Sequence, residues 1–271
     1  MTDEATGPYK AYRNPDFLAG RDGRPIRILA EYIEPEARFE DFRIADTIVF
    51  FGSARLKSRH DAEDALAAAR TDGGDVAAAE RSVAMSRYYE EARSLAARLT
   101  EWSKGLEGTS RRFVICSGGG PGIMEAANRG ASEAKGINVG LNISIPSEQH
   151  ENPYITRELS FEFHYFFMRK FWFVYLAKAI VIFPGGFGTL DEFFEILTLV
   201  QTDKLKKPMS IVLYGAPFWD DVVNFDALVR HGTIDAADLD LFHRVDTVDA
   251  AFDVITADLT ARALDTPGRI L

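Results

Sequence analysis

Between Ala179 and Glu192 the chain reads AIVIFPGGFGTLDE, an apolar β-branched stretch, then Gly185, Gly186 and Gly188, then Thr189, Leu190, Asp191 and Glu192. A strand that ends in a glycine turn and feeds a helix leaves unpaired backbone N–H groups at the helix start. The helix dipole adds to them, and a phosphate is favoured there. Acids are unexpected beside such a turn, yet Asp191 and Glu192 fall in the first turns of the helix. The combination fits a pocket that holds a phosphate at one end and a developing positive charge at the other. Thr189 followed by Glu192 also reads as a capping box, in which Thr189 caps the helix and Glu192 bonds back to it. A cap has no need of three preceding glycines, whereas close approach of backbone to a ligand does.

A second turn of the same design follows Arg112–Cys116. Gly118, Gly119 and Gly120 lead to Pro121 and Gly122, and Gly119 to Glu125 repeats the Gly-Gly-x-Gly-x-x-acid pattern of Gly185 to Asp191. Two such turns imply two neighbouring parallel strands whose C-terminal ends face one crevice, where open α/β sheets bind ligands. Close helix–strand packing is the alternative use of the first set of glycines.

The elements that must position these turns read as alternating strands and helices. Thr47–Phe51, Phe113–Cys116, Ile137–Ile145, Phe161–Phe163, Ile180–Phe183, Met209–Tyr214 and Leu241–Val245 read as strands. Helices are expected over 76–102, 122–135, 165–178, 189–202, 217–231 and 247–264. Residues 56–75 read as an excursion or short helix. The fold class is therefore α/β, a Rossmann-like, mainly parallel sheet with helices on both faces over residues 46–271. Residues 1–45, polar and punctuated by proline, read as an N-terminal arm with helical fragments near 16–18 and 35–42.

At 271 residues, 46% hydrophobic and 27% charged, the chain has an ordinary globular composition, and its net charge of −10 offers no basic stripe for a nucleic-acid backbone. The single Cys116 excludes an internal disulfide or a cysteine-cluster metal site. His60, His150, His164, His231 and His243 lack ligand spacing, so neither a metal nor another cofactor is expected. The apolar run Phe171–Phe183 is thirteen residues long and contains Lys178, so no membrane partner is expected. The first ten residues lack a signal-peptide pattern, and a cytoplasmic location is expected.

Three motifs in order, Ser117–Glu125, Met168-Arg169-Lys170 and Pro184–Glu192, resemble the Lonely Guy family, long labelled "possible lysine decarboxylase". The resemblance spans roughly Asp46 to Tyr214. It implies a phosphoribohydrolase that cleaves the N-glycosidic bond of a nucleoside 5′-monophosphate, AMP or a cytokinin ribotide, and a homo-oligomer. It also implies catalytic roles for Arg169 and Glu192. Contacts to the nucleotide are implied for Glu148, Lys170, Gly186, Phe187, Gly188, Thr189, Leu190, Asp191 and Thr198. In such a reaction a carboxylate such as Glu192 stabilises an oxocarbenium-like state, activates water or holds a ribose hydroxyl, with Asp191 in reserve. Arg169 offers a planar fork to the phosphate or a hydrogen bond to the departing base.

Two other readings stand beside it. A non-catalytic carrier of a nucleotide or molybdenum cofactor would use the glycine turns but has no need of Glu192. A dinucleotide-dependent oxidoreductase calls for G-x-G-x-x-G after the first strand, and Gly52-Ser53-Ala54-Arg55 does not supply it.

Overall fold

The computed structural model describes residues 9–106, 108–144 and 151–268. Seven strands form one sheet in the order β4-β3-β2-β1-β5-β6-β7, and every pairing is parallel. Before the sheet come α1 (Pro15–Ala19) and α2 (Arg24–Asp41). The chain then enters β1 (Thr47–Phe51), crosses α3 (Arg59–Asp72) and α4 (Val76–Lys104), and returns as β2 (Val114–Ser117). It continues through α5 (Ile123–Glu133), β3 (Asn138–Ile143), β4 (Ser160–Phe163) and α6 (Phe166–Tyr175). The second half is β5 (Ala177–Ile182), α7 (Phe187–Gln201), β6 (Ser210–Tyr214), α8 (Ala216–Val222), α9 (Phe225–Arg230), β7 (His243–Val245) and α10 (Val248–Arg262). Among the described residues no helix is long and apolar enough to cross a membrane.

Strand periodicity builds a core on each face. In β1, Val49 and Phe51 join Phe39 of α2, Trp172 of α6 and Phe193 of α7, whereas Ile48 and Phe50 join Leu95 of α4, Ile123 of α5 and Ile255 of α10. Strands buried on both faces need apolar residues at every position, which explains why they read as unbroken runs.

The strand order corrects one expectation. The two glycine turns follow β2 and β5, and these strands are not neighbours, because β1 lies between them. The chain builds outward from β1 through β4, then returns to add β5 on the other side. The reversal point, and with it the crevice, lies at β1 and β5.

Three elements differ from their sequence pattern. Residues 24–41 form one helix despite Pro35. Proline lacks the N–H that would bond the Glu31 carbonyl, and that carbonyl accepts from the Trp172 indole instead, at 2.9 Å. The helix expected to reach Lys178 stops at Tyr175, and Lys178 is a buried residue of β5 whose Nζ lies 3.8 Å from Asp46. The helix expected over 217–231 breaks at Val223 (φ −130°), after which Asn224 caps α9 by accepting from Ala227 N at 2.9 Å.

At the N-terminal ends of the strands lies a hollow of about 750 Å³ with Arg43, Lys104, Arg111, Arg112 and Lys135 in its wall. Its basic character follows from helix ends. Lys104 donates to Ala134 O behind α5 at 2.8 Å, Arg111 to Phe42 O behind α2, and Arg112 to Ala263 O behind α10 at 2.6 Å. Cations there satisfy terminal carbonyls and oppose the negative ends of the helix dipoles.

Candidate functional site

The turn after β5 is fixed to the central strand by two backbone bonds, Phe183 N to Phe51 O at 2.8 Å and Ser53 N to Pro184 O at 3.0 Å. Gly185 is required by packing, since a Cβ there would overlap Thr189 Oγ1. Gly186 and Gly188 differ, for a Cβ at either would meet nothing within 4 Å. Neither has a positive φ, so neither neighbouring protein atoms nor backbone conformation calls for glycine at these two places. Open space on the outer side of the turn is what they provide.

Helix α7 begins at Phe187, with Gly186 as its N-cap and no side-chain cap. The capping box that Thr189 and Glu192 could form is therefore not made, and Thr189 is buried inside the first turn. The first helical bond runs from Leu190 N to Gly186 O at 3.0 Å. The N–H groups of Phe187, Gly188 and Thr189 find no acceptor among the described residues, which leaves them available to an anion.

Glu192 is 5% exposed. Burial pushes its carboxyl up to about 7, against the pull of the Lys170 and Arg169 charges. Arg169, in the first turn of α6, lies with its guanidinium 5.1 Å from the Phe166 ring and 5.4 Å from Phe173. Its buried Nε has no hydrogen-bond acceptor among the described residues. Burial draws Arg169 below the ordinary arginine value, opposed first by Glu192 and then by Asp191. A carboxyl that titrates near neutrality thus shares a desolvated setting with a guanidinium that has donors to spare. Perturbed groups at the mouth of a ligand-ready turn mark a site for proton transfer or charge stabilisation.

The start of α6 is held from outside the sheet. The Glu31 carboxylate of α2 accepts from His164 N at 2.8 Å and Tyr165 N at 3.2 Å, which satisfies N–H groups at the entry to the helix. With Tyr32 5.5 Å from Phe171 and 5.9 Å from Trp172 in ring centroids, α2 grips the helix that carries Arg169.

Lys170 points to the outer face of α7. Its Nζ lies 2.7 Å from Asp191 Oδ2 and 2.5 Å from Glu195 Oε2. Burial alone would lower it, but the bonds to Asp191 and Glu195 leave it above the ordinary lysine value. Together with Phe187, Leu190, Asp191 and Thr198 it lines an open groove of about 530 Å³. Thr198 is exposed and donates to Phe194 O at 2.7 Å. The groove also includes Phe194, Glu195 and Leu199, which the sequence reading did not single out. For Glu195 a signal exists in the helical spacing, because it stands four residues after Asp191 on the same face.

The earlier glycine turn is built differently. A Cβ at Gly118 would crowd Met124 Sδ at 2.7 Å, and Gly119, at φ +73°, lies against the Asn142 side chain. Asn152 Nδ2 donates to Gly119 O at 3.0 Å and Gly120 O at 3.2 Å, and it reaches Asn128 Oδ1 at 3.0 Å. Packing and a buried amide network therefore account for Gly118 and Gly119. Glu148 lies outside the described residues.

Comparison with known proteins adds sequence relationships. Residues 124–255 match the model of a family described as possible lysine decarboxylase. Over 66 residues, 24% of this chain and 29% of the relative, the chain is 33% identical to the probable cytokinin riboside 5′-monophosphate phosphoribohydrolase LOG4 of Oryza sativa subsp. japonica. It is 37% identical over 59 residues, 21% of this chain and 24% of the relative, to the cytokinin riboside 5′-monophosphate phosphoribohydrolase LOG of the same plant. These matches span less than a third of either relative's length. Among solved structures, the Moco carrier protein from Chlamydomonas reinhardtii is similar at 16% identity and a TM-score of 0.47, covering 80% of this chain and 99% of that one.

Proposed function

We propose, on the premise of the family match over residues 124–255 and the partial matches to two cytokinin riboside 5′-monophosphate phosphoribohydrolases, that this protein is a phosphoribohydrolase. It takes a nucleoside 5′-monophosphate, AMP or a cytokinin ribotide, and releases free base and ribose 5-phosphate. The observation that carries the reading is the buried Glu192 beside Arg169, directly behind a turn whose Gly186 and Gly188 face open space.

In this reading the phosphate rests on the free N–H groups of Phe187, Gly188 and Thr189 at the start of α7. The ribose then lies toward Glu192. As the C1′–N bond breaks, its electron pair leaves with the base and positive charge develops at C1′. The Glu192 carboxylate stabilises that charge and takes a proton from the water whose oxygen bonds to C1′, while the departing base takes a proton from solvent, to which Glu192 then returns its own. Arg169, already largely desolvated, gives up less solvation than an exposed arginine when it donates to the phosphate or the departing base. The lysine–carboxylate cluster of Lys170, Asp191 and Glu195 holds the first turns of α7 against α6 and keeps the two machinery residues in register.

The experiment is chromatography of a reaction mixture. Purified protein is expected to release adenine from AMP or base from isopentenyladenosine 5′-monophosphate, and Glu192→Ala to abolish release while AMP still binds. Tight nucleotide binding without release of base from any monophosphate would replace the hydrolase with a carrier.

A further inference from the structure

We propose that Arg55 supplies the phosphate-binding cation of this site, a positioning and affinity role that rests on the nucleotide reading above. The first ground is charge. The helices beside the turn after β5 hold three carboxylates, Asp191, Glu192 and Glu195 of α7, against two cations, Arg169 and Lys170 of α6. Lys170 is paired with Asp191 and Glu195, and Arg169 feels Glu192 as its main favourable charge. A phosphate dianion brought to this rim meets a net negative group unless another cation joins it.

The second ground is topology. Because β1 lies between β2 and β5, the loop leaving β1 sits at the reversal point. Its backbone is clamped on both sides. Ser53 N donates to Pro184 O at 3.0 Å toward one glycine turn, and Ser53 O accepts from Ile123 N at 3.1 Å toward the other. At Gly122 (φ +71°) a Cβ would fall 2.8 Å from Ala54, so Ala54 is seated directly on the earlier turn. Arg55 follows at once, its own N–H bonded to Ser53 Oγ at 3.1 Å.

The third ground is availability. In the turns that follow β1, β2 and β5, residues 52–58, 118–122 and 183–186, Arg55 and Lys57 are the only cationic side chains. Both are exposed, and neither side chain has a hydrogen-bond or ion-pair partner among the described residues. Lys57 adjoins Ser58, the cap of α3, two residues further than Arg55 from the clamped Ser53. Arg55 occupies the clamped part. A guanidinium at this place presents a fork that suits two phosphate oxygens.

Calorimetric titration tests the role with AMP, ribose 5-phosphate and adenosine on the intact protein, in the parent, Arg55→Gln, Arg55→Lys and Lys57→Gln forms, with thermal melting of each variant to verify the fold. Arg55→Gln is expected to weaken AMP and ribose 5-phosphate by tenfold or more and to leave adenosine unchanged. Arg55→Lys should recover part of the loss, and Lys57→Gln should match the parent. AMP binding that is equal in the parent and Arg55→Gln overturns the inference while the hydrolase reading stands. A parent that binds none of the phosphorylated probes and releases no base overturns both.

Discussion

Replacing Glu192 by glutamine should make the protein more stable, and by an amount that depends on pH. Its carboxyl is carried from an ordinary 4.5 to about 7, chiefly by burial. The unfolded chain therefore releases this proton at lower pH than the folded one. Below about 4.5 both states hold the proton and the group contributes nothing to the balance. As pH rises from there to about 7, only the unfolded state ionises freely, and folding loses ground. Above that the loss is constant, about 3 kcal/mol at 1.36 kcal/mol per factor of ten. Glutamine resembles the protonated acid in shape and charge. Glu192→Gln should therefore gain up to about 3 kcal/mol at pH 8 and nothing at pH 4, with the gain appearing through the interval between. Urea titrations of both proteins across that range measure it. A gain that is absent at pH 8, or equal at both ends, would refute the claim that burial resists ionisation of Glu192.

Further outcomes follow from the same geometry. Gly188→Ala should fold as well as the parent or gain up to about 1 kcal/mol, because its Cβ meets open space in a helix, yet it should weaken AMP binding by crowding the phosphate; Gly185→Ala should lower the melting temperature, since its Cβ overlaps Thr189. Base release, if it needs the Glu192 carboxylate, should rise with pH through a midpoint near 7 and level off above it, and the limb for kcat should lie at higher pH than that for kcat/KM, because a bound phosphate further disfavours the carboxylate. Phe187 is 92% exposed and adjoins Phe194 along the groove; sedimentation is expected to show a homo-oligomer, and Phe187→Ser to shift it toward monomer.

The strands were legible because a parallel strand covered on both faces needs apolar residues without interruption, as in Thr47–Phe51 and Ile180–Phe183. The resemblance to the Lonely Guy family is borne out by the family match over residues 124–255 and by the partial matches to two relatives from Oryza sativa. Local pattern failed where tertiary contacts decide. Thr189-x-x-Glu192 carries the letters of a capping box, but α7 starts two residues earlier and buries both side chains. No local signal says that β1 separates β2 from β5, since strand order is set by pairing across long stretches of chain. Prolines at 25 and 35 disguised α2, whose lost bond at Glu31 is made good by an indole from another helix. The break at Asn224 was readable, because asparagine before an apolar turn is a helix-start signal.

That indole has a consequence for how the protein fails. Sheet and chemistry draw on different reserves: the strands are secured from both sides, whereas the helix bearing Arg169, beyond its own packing on the sheet, is fastened by the carboxylate and backbone oxygen of Glu31 and the ring of Tyr32, in a segment laid down before the first strand. Detachment of residues 24–41 would need far less energy than melting the sheet. On warming, turnover should therefore vanish while the parallel core still gives a folded spectrum, and a protease that nicks the chain between Phe42 and Asp46 should silence the protein without dissolving it.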